Sequence, residues 1–327
     1  MMKNKKVLAM ILLAGSVAAL SLSGCFKNPT DPFGSGGSGS GSAGITKNTG
    51  DTQTTAISAA ASQVNHHGVY LSVLNQAGNP IPASYFQGAN FQINYNGTTV
   101  KSGSITLSTA SGSGQAISTS LVLDYSGSMS GDITSLETAA SSFVNNMQAA
   151  DRGEIIKFDD SIVEEKAFTA DKTALLAGIH STDYFGGSTA LYDAIYMGVT
   201  HTAHETGQRA VVAFTDGGEN ASTFITSQAA LITAAKSNGV PIFTIGLGSA
   251  DTTSLQDISS QTGGFFYNAP TAADLTTIYQ KIAQAFTNTV ILSWPGFTYQ
   301  SGALLVIQVT YICATGTYTS TINVTLP

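Results

Sequence analysis

From Ile117 to Asn288 short apolar runs alternate with stretches of helical spacing, and this alternation limits the fold more than any other feature of the chain. Ser120-Leu-Val-Leu123 reads as a buried strand, and Glu154 to Phe158, Ala210 to Phe214 and Val240 to Ile245 read as further strands. Between them Ile133, Leu136, Ala140, Phe143, Val144 and Met147 keep helical spacing. Helices are also expected over Asp171 to His180, Ala190 to Glu205, Ser227 to Ser237 and Thr253 to Gln261. Leu275, Ile278, Tyr279, Ile282 and Phe286 line one face of a last helix. Repeated strand–helix units imply an α/β domain with a doubly wound, mostly parallel sheet and helices on both faces. Ile162 to Phe168 follows the 154–158 strand closely enough for a hairpin, which supplies one antiparallel edge strand.

This α/β domain, placed at residues 115–288, interrupts a β region. Before it, Val69, Leu71 and Val73 alternate, as do Phe91, Ile93 and Tyr95, with turn residues at Gln76 to Pro80 and Asn96-Gly97. After it come strand-like runs at Val290 to Trp294, Leu304 to Ile312 and Tyr318 to Leu326. The first set has too few strands to stand alone. Residues 63–114 and 289–327 are therefore expected to pair into one small antiparallel β-sandwich, with Trp294 packed at the junction.

The N-terminus reads as a targeting segment. Lys3, Lys5 and Lys6 precede an apolar run from Val7 to Leu20, too short for a comfortable membrane span. Leu22-Ser-Gly-Cys25 then resembles the lipobox of bacterial lipoproteins, which implies a signal peptide over residues 1–24 and lipidation of Cys25. Phe26, in place of Asp, implies export to the outer membrane. Residues 25–62, with the run Gly34 to Ala43, read as the lipidated Cys and a flexible Gly/Ser-rich tether. The only other cysteine, Cys313, is left unpaired and lies in an apolar run, where it serves as a small buried hydrophobe. Charged residues make up only 10% of the chain, which fits a cell-envelope surface better than a cytosolic one. A formal charge of −7, with no basic patch, excludes nucleic acid as a partner.

The chemistry is concentrated at strand ends. Asp124-Tyr-Ser126-Gly-Ser128 follows the first α/β strand, and Asp216 in Thr215-Asp-Gly-Gly-Glu-Asn220 follows the 210–214 strand. Thr189 lies in Gly186-Gly-Ser-Thr-Ala190, a glycine-rich loop that opens a helix. Open α/β sheets bind ligands outside the carboxyl ends of strands where the strand order reverses. If the 120–124 and 210–214 strands are neighbours, the three loops converge. Two carboxylates and three hydroxyls offer only oxygen, which suits a hard cation: Mg²⁺, or Mn²⁺ or Ca²⁺.

Asp124-x-Ser126-x-Ser128, Thr189 and Asp216 in T-D-G, in that order, resemble the metal-ion-dependent adhesion site of von Willebrand factor type A domains. The resemblance implies a Rossmann-like fold. It also implies that Ser126, Ser128 and Thr189 meet the cation directly or nearly so, while Asp124 and Asp216 often act through water. A protein partner presenting Asp or Glu would complete the metal shell, in adhesion or in complex assembly. The family moves its last helix when liganded, here residues 271–288. Alternatives are a metal-independent scaffold subunit of an envelope complex and, below that, a metal-dependent hydrolase. No nucleophile elbow or Ser/His/Asp set is recognisable, so the chain reads as a non-enzyme.

Other motifs have plainer readings. His201-x-x-His204-Glu205 has neither order of the zinc-protease motif and suits a helix C-terminus. Asp159-Asp160 and Glu164-Glu165 are expected to keep a hairpin edge exposed and charged. Gly246-Leu-Gly248 lacks the third glycine of a dinucleotide fingerprint, and His66-His67 read as solvated.

Overall fold

A computed structural model describes residues 45, 47–65, 68–109, 116–181, 186–248 and 250–326. Cys25, the segment 1–24, the Gly34 to Ala43 run and His66-His67 lie outside the described residues. Among those described, no helix is long and apolar enough to cross a membrane.

The N-terminal β region comprises β1 (Lys47–Asn48), β2 (Ile57–Asn65), β3 (Gly68–Asn75), β4 (Phe91–Tyr95), β5 (Thr98–Val100) and β6 (Thr106–Thr109). The α/β unit follows as β7 (Ile117–Asp124), α1 (Ile133–Asn146), β8 (Arg152–Phe158), β9 (Ile162–Thr169), α2 (Lys172–Ile179), α3 (Leu191–Ala203) and β10 (Gln208–Thr215). It continues through α4 (Gln228–Asn238), β11 (Ile242–Leu247), α5 (Thr252–Thr262), β12 (Phe266–Ala269) and α6 (Leu275–Thr287). The chain then returns to β13 (Val290–Ser293), β14 (Leu304–Cys313) and β15 (Thr317–Thr325).

The two β regions do pair. One sheet runs β1-β14-β4-β5 with β15 on the other side of β14, and a second runs β2-β3-β13-β6. Val69, Leu71 and Val73 from one sheet meet Phe91, Ile93, Leu305, Ile307 and Val309 from the other in a single core. β13 pairs antiparallel with β6, so the strands that enter and leave the α/β unit lie side by side, as an inserted domain requires. The opposite face of β3 is also covered: Ser72 meets Thr289 at 3.1 Å, and Thr289 accepts from Gln208 at 2.8 Å. A strand buried on both faces explains the nearly unbroken apolar run of β3. Gly78, in the turn after it, has φ +71°, and a Cβ there would lie 2.7 Å from the Phe265 ring. Glycine alone allows that turn to dock on the α/β unit.

Strand structure is present before the expected tether boundary at residue 62. β1 pairs with β14, and β2 pairs with β3 from Ile57 opposite Asn75. The Ala/Ser-rich β2 carries no apolar period because β3 supplies the bulk. Ala59 is buried, and its N–H donates to the Ser320 hydroxyl at 3.1 Å. Tertiary pairing here overrides a weak local preference.

The α/β sheet has the order β12-β11-β10-β7-β8-β9, parallel except for the β8–β9 edge pair. From β7 the chain moves outward to β8 and β9, then returns to the other side of β7 as β10. The reversal therefore lies between β7 and β10, which pair in parallel from Gln208 opposite Ile117 to Phe214 opposite Leu123. Side chains of α1, α2 and α6 pack on one face with Leu121, Leu123, Val212 and Phe214. Those of α3, α4 and α5 pack on the other with Val122, Ile156, Val211 and Ala213. Cys313 is buried, as expected.

Candidate metal centre

The first of the three loops is fixed by its own carboxylate. Asp124, fully buried at the end of β7, accepts from the Ser126 N–H at 2.8 Å and from the Thr215 hydroxyl at 2.6 Å. The β7–β10 pairing brings Thr215 there, so the strands that flank the reversal are cross-linked at their carboxyl ends. The Ser126 hydroxyl lies 3.2 Å from that of Ser128, which donates to Asp216 at 2.7 Å. The D-x-S-x-S and T-D-G segments thus form one connected polar chain.

Thr189 is brought in by its backbone. Its N–H donates to the Asn220 side chain at 2.8 Å, and its carbonyl accepts from the N–H groups of Asn220 and Ala221. The Ala190 N–H reaches the Asp159 carbonyl at 2.7 Å, and Gly186 bridges to Ser126. A side chain on Gly186 would overlap the Asp159 carboxylate, so the glycine permits the loop to close. A Cβ built on Gly217 would stand 3.7 Å from the Thr189 hydroxyl and 4.0 Å from that of Ser128. Those two hydroxyls therefore border the same position of the Gly217 loop.

All five sequence-derived residues, Asp124, Ser126, Ser128, Thr189 and Asp216, are gathered by these contacts. Their chemistry fits a hard cation. The donors are all oxygen, from two carboxylates and three hydroxyls. Burial pushes the Asp124 carboxyl up to about 6, and the nearby Asp216 adds to this, while the bonds from Thr215 and Ser126 oppose it. A cation there would reverse that balance in favour of the charged form.

Sequence reasoning missed the supports. Thr215 and Asn220 stand inside the same T-D-G-G-E-N motif that flagged Asp216. Glu219 accepts from the Tyr192 N–H at 2.8 Å in the first turn of α3 and from Ala221 and Ser222, so it ties the loop to the helix. Asp159 is no exposed edge residue: it is buried beside Gly186, and its carboxylate accepts from the Ser161 N–H at 2.7 Å. The His201–His204–Glu205 trio is not assembled. His204 is exposed at the end of α3, Glu205 pairs with Arg152 at 2.7 Å, and His201 turns to Glu154.

The family model of the von Willebrand factor type A domain matches residues 120–281. Among solved structures, proximal thread matrix protein 1 from the mussel byssus aligns at 17% identity, with a TM-score of 0.48, over 59% of this chain and 50% of its own. The chain thus spans half the length of that protein. The hypothetical protein BatB from Bacteroides thetaiotaomicron aligns at 17% identity over 52% of this chain and 98% of its own, TM-score 0.44. The von Willebrand domain of the type V pili tip protein Mfa5 from Porphyromonas gingivalis aligns at 16% identity over 52% and 94%, TM-score 0.43. No curated protein matches the chain.

Proposed function

Because residues 120–281 form a von Willebrand factor type A domain, we propose that this chain is a divalent-cation-dependent protein-binding module of a lipid-anchored bacterial envelope protein. The observation that supports this reading is the set of contacts at the sheet's reversal that links Asp124, Ser126, Ser128 and Asp216 and sets the Thr189 and Ser128 hydroxyls beside the same Gly217 position. Ser126, Ser128, Thr189, Asp124 and Asp216 would hold Mg²⁺, Mn²⁺ or Ca²⁺. Neutral hydroxyls leave such an ion electrophilic, so an Asp or Glu of a protein partner can complete its shell. The partner's role is adhesion or complex assembly. Lipidation at Cys25 and an outer-membrane location belong to the same proposal and rest on the L-S-G-C context followed by Phe26.

The test is capture from envelope extract by the full chain in Mg²⁺. Capture is expected to vanish on chelation and in Ser128→Ala; capture that survives both contradicts the reading. A second reading is a metal-independent scaffold, in which the Ser126–Ser128–Asp216 bonds serve only to hold the loops together. On that reading chelation leaves capture unchanged. Hydrolysis by metal-activated water is weaker still, because His180 and His201 are engaged by Glu137 and Glu154.

A further inference from the structure

Beneath α3, the same sheet carries a second polar cluster. Glu154 on β8, Glu164 on β9 and His201 on α3 each offer one ligand atom, and the three atoms lie within 4.8 Å of one another. His201 Nδ1 stands 2.5 Å from a Glu154 oxygen and 3.7 Å from a Glu164 oxygen. Glu154 pairs in register with Ser120, four residues before Asp124 on β7, so the cluster lies roughly 13 Å down the strand from the loop site.

Three features point to an ion. The Glu154 side chain is fully buried, yet its second oxygen makes no well-formed hydrogen bond: its polar neighbour is the Ser120 hydroxyl, buried at the opposing register position and itself poorly placed to donate. Buried polar atoms are seldom left so unless an ion or water serves them. The other two ligands are about a third exposed, which gives an ion an entry path and leaves one position for water. The charges also fit. Arg152 is committed to Glu205 and the Phe168 carbonyl, so two carboxylates face a single imidazole. A dication with a neutral imidazole and two carboxylates is electrically balanced. Burial raises the Glu154 carboxyl, opposed by the Ser120 hydroxyl and by His201, and the neighbouring Glu164 adds to the rise.

We propose that Glu154, Glu164 and His201 form a second metal site, for a zinc-class transition-metal dication. Imidazole with carboxylates selects such ions over Mg²⁺. Tetrahedral zinc holds its ligands about 3.3 Å apart, between the two separations observed, so small side-chain rotations suffice. The ion replaces the proton between Glu154 and His201, which is released. The site stands independently of the function proposed above.

The experiment is Zn²⁺ titration of the full chain carrying Asp124→Ala, which silences the loop site, with X-ray absorption of the bound zinc. One equivalent is expected, with a nitrogen among its donors. Glu164→Gln should weaken binding at least tenfold, and His201→Ala should abolish the nitrogen signature and the site. Absence of saturable binding, or an unchanged nitrogen signature in His201→Ala, overturns the proposal. Thermal melting of the wild-type chain in saturating Mg²⁺ gives a second reading. Zn²⁺ should raise its Tm but not that of His201→Ala, and equal shifts overturn the proposal as well.

Discussion

The loop site and the Glu154 cluster lie on the same sheet, yet their buried carboxylates are treated differently. Asp124 sits at a strand end, where the backbone has left the ladder, and both of its oxygens find donors in Ser126 and Thr215. Glu154 sits within β8, whose N–H groups are spent on β7 and β9, and one of its oxygens has no well-formed hydrogen bond, only the Ser120 hydroxyl nearby. Loops can turn backbone donors toward a carboxylate, and strand interiors cannot. The loop site can therefore be shaped before any ion arrives, whereas the cluster is left short of a cation.

The largest effect that would sharpen this contrast comes from Asp124→Asn. Its carboxyl is raised from 3.8 to about 6. Between these values the folded, metal-free chain keeps a proton that the unfolded chain has released. Stability therefore falls as pH rises through this window, at a cost of about 3 kcal/mol above it. Asp124→Asn should thus stabilise the metal-free protein at pH 7 by up to that amount, and the gain should disappear near pH 4. Denaturant unfolding at both pH values in chelator measures it, and a loss of stability at pH 7 would break the contrast. The same proton competes with metal, so Mg²⁺ affinity should drop about tenfold per pH unit below pH 6.

A smaller effect is expected at Gly186. In Gly186→Ala the new methyl meets the Asp159 carboxylate, forcing the loop outward at a cost of about 1–3 kcal/mol. Mg²⁺ affinity should fall while the cluster's Zn²⁺ affinity holds, and a parallel loss of both would show that the sites are not independent. The smallest effect belongs to Phe224→Ala. This ring is 71% exposed, and its loss should move stability by no more than about 0.5 kcal/mol by thermal melting.

The legibility of the two sites in the sequence differs for the same reason. Asp124, Ser126, Ser128, Thr189 and Asp216 stand in short motifs next to apolar strands, so strand ends and motifs point to one place. The strand alternation likewise announces the doubly wound sheet, and the β segments on either side announce a sandwich. Glu154 and His201 are 47 residues apart, and only the packing of α3 over β8 brings them together. Spacing along α3 suggests His204 as the partner of His201, but His204 lies past the helix end. β2 and the four-residue β12 were also hidden. The first is rich in Ala and Ser, and the second stands between Gly264 and Pro270 with too few residues to show a period.

Calorimetric titration of Mg²⁺ into the full chain, wild type beside Asp124→Ala, tests the central claim most directly. Saturable binding of one ion by the wild type, lost in the variant, is the predicted result. Absence of binding by both, or equal binding by both, would contradict an account in which Asp124, Ser126, Ser128, Thr189 and Asp216 hold the cation.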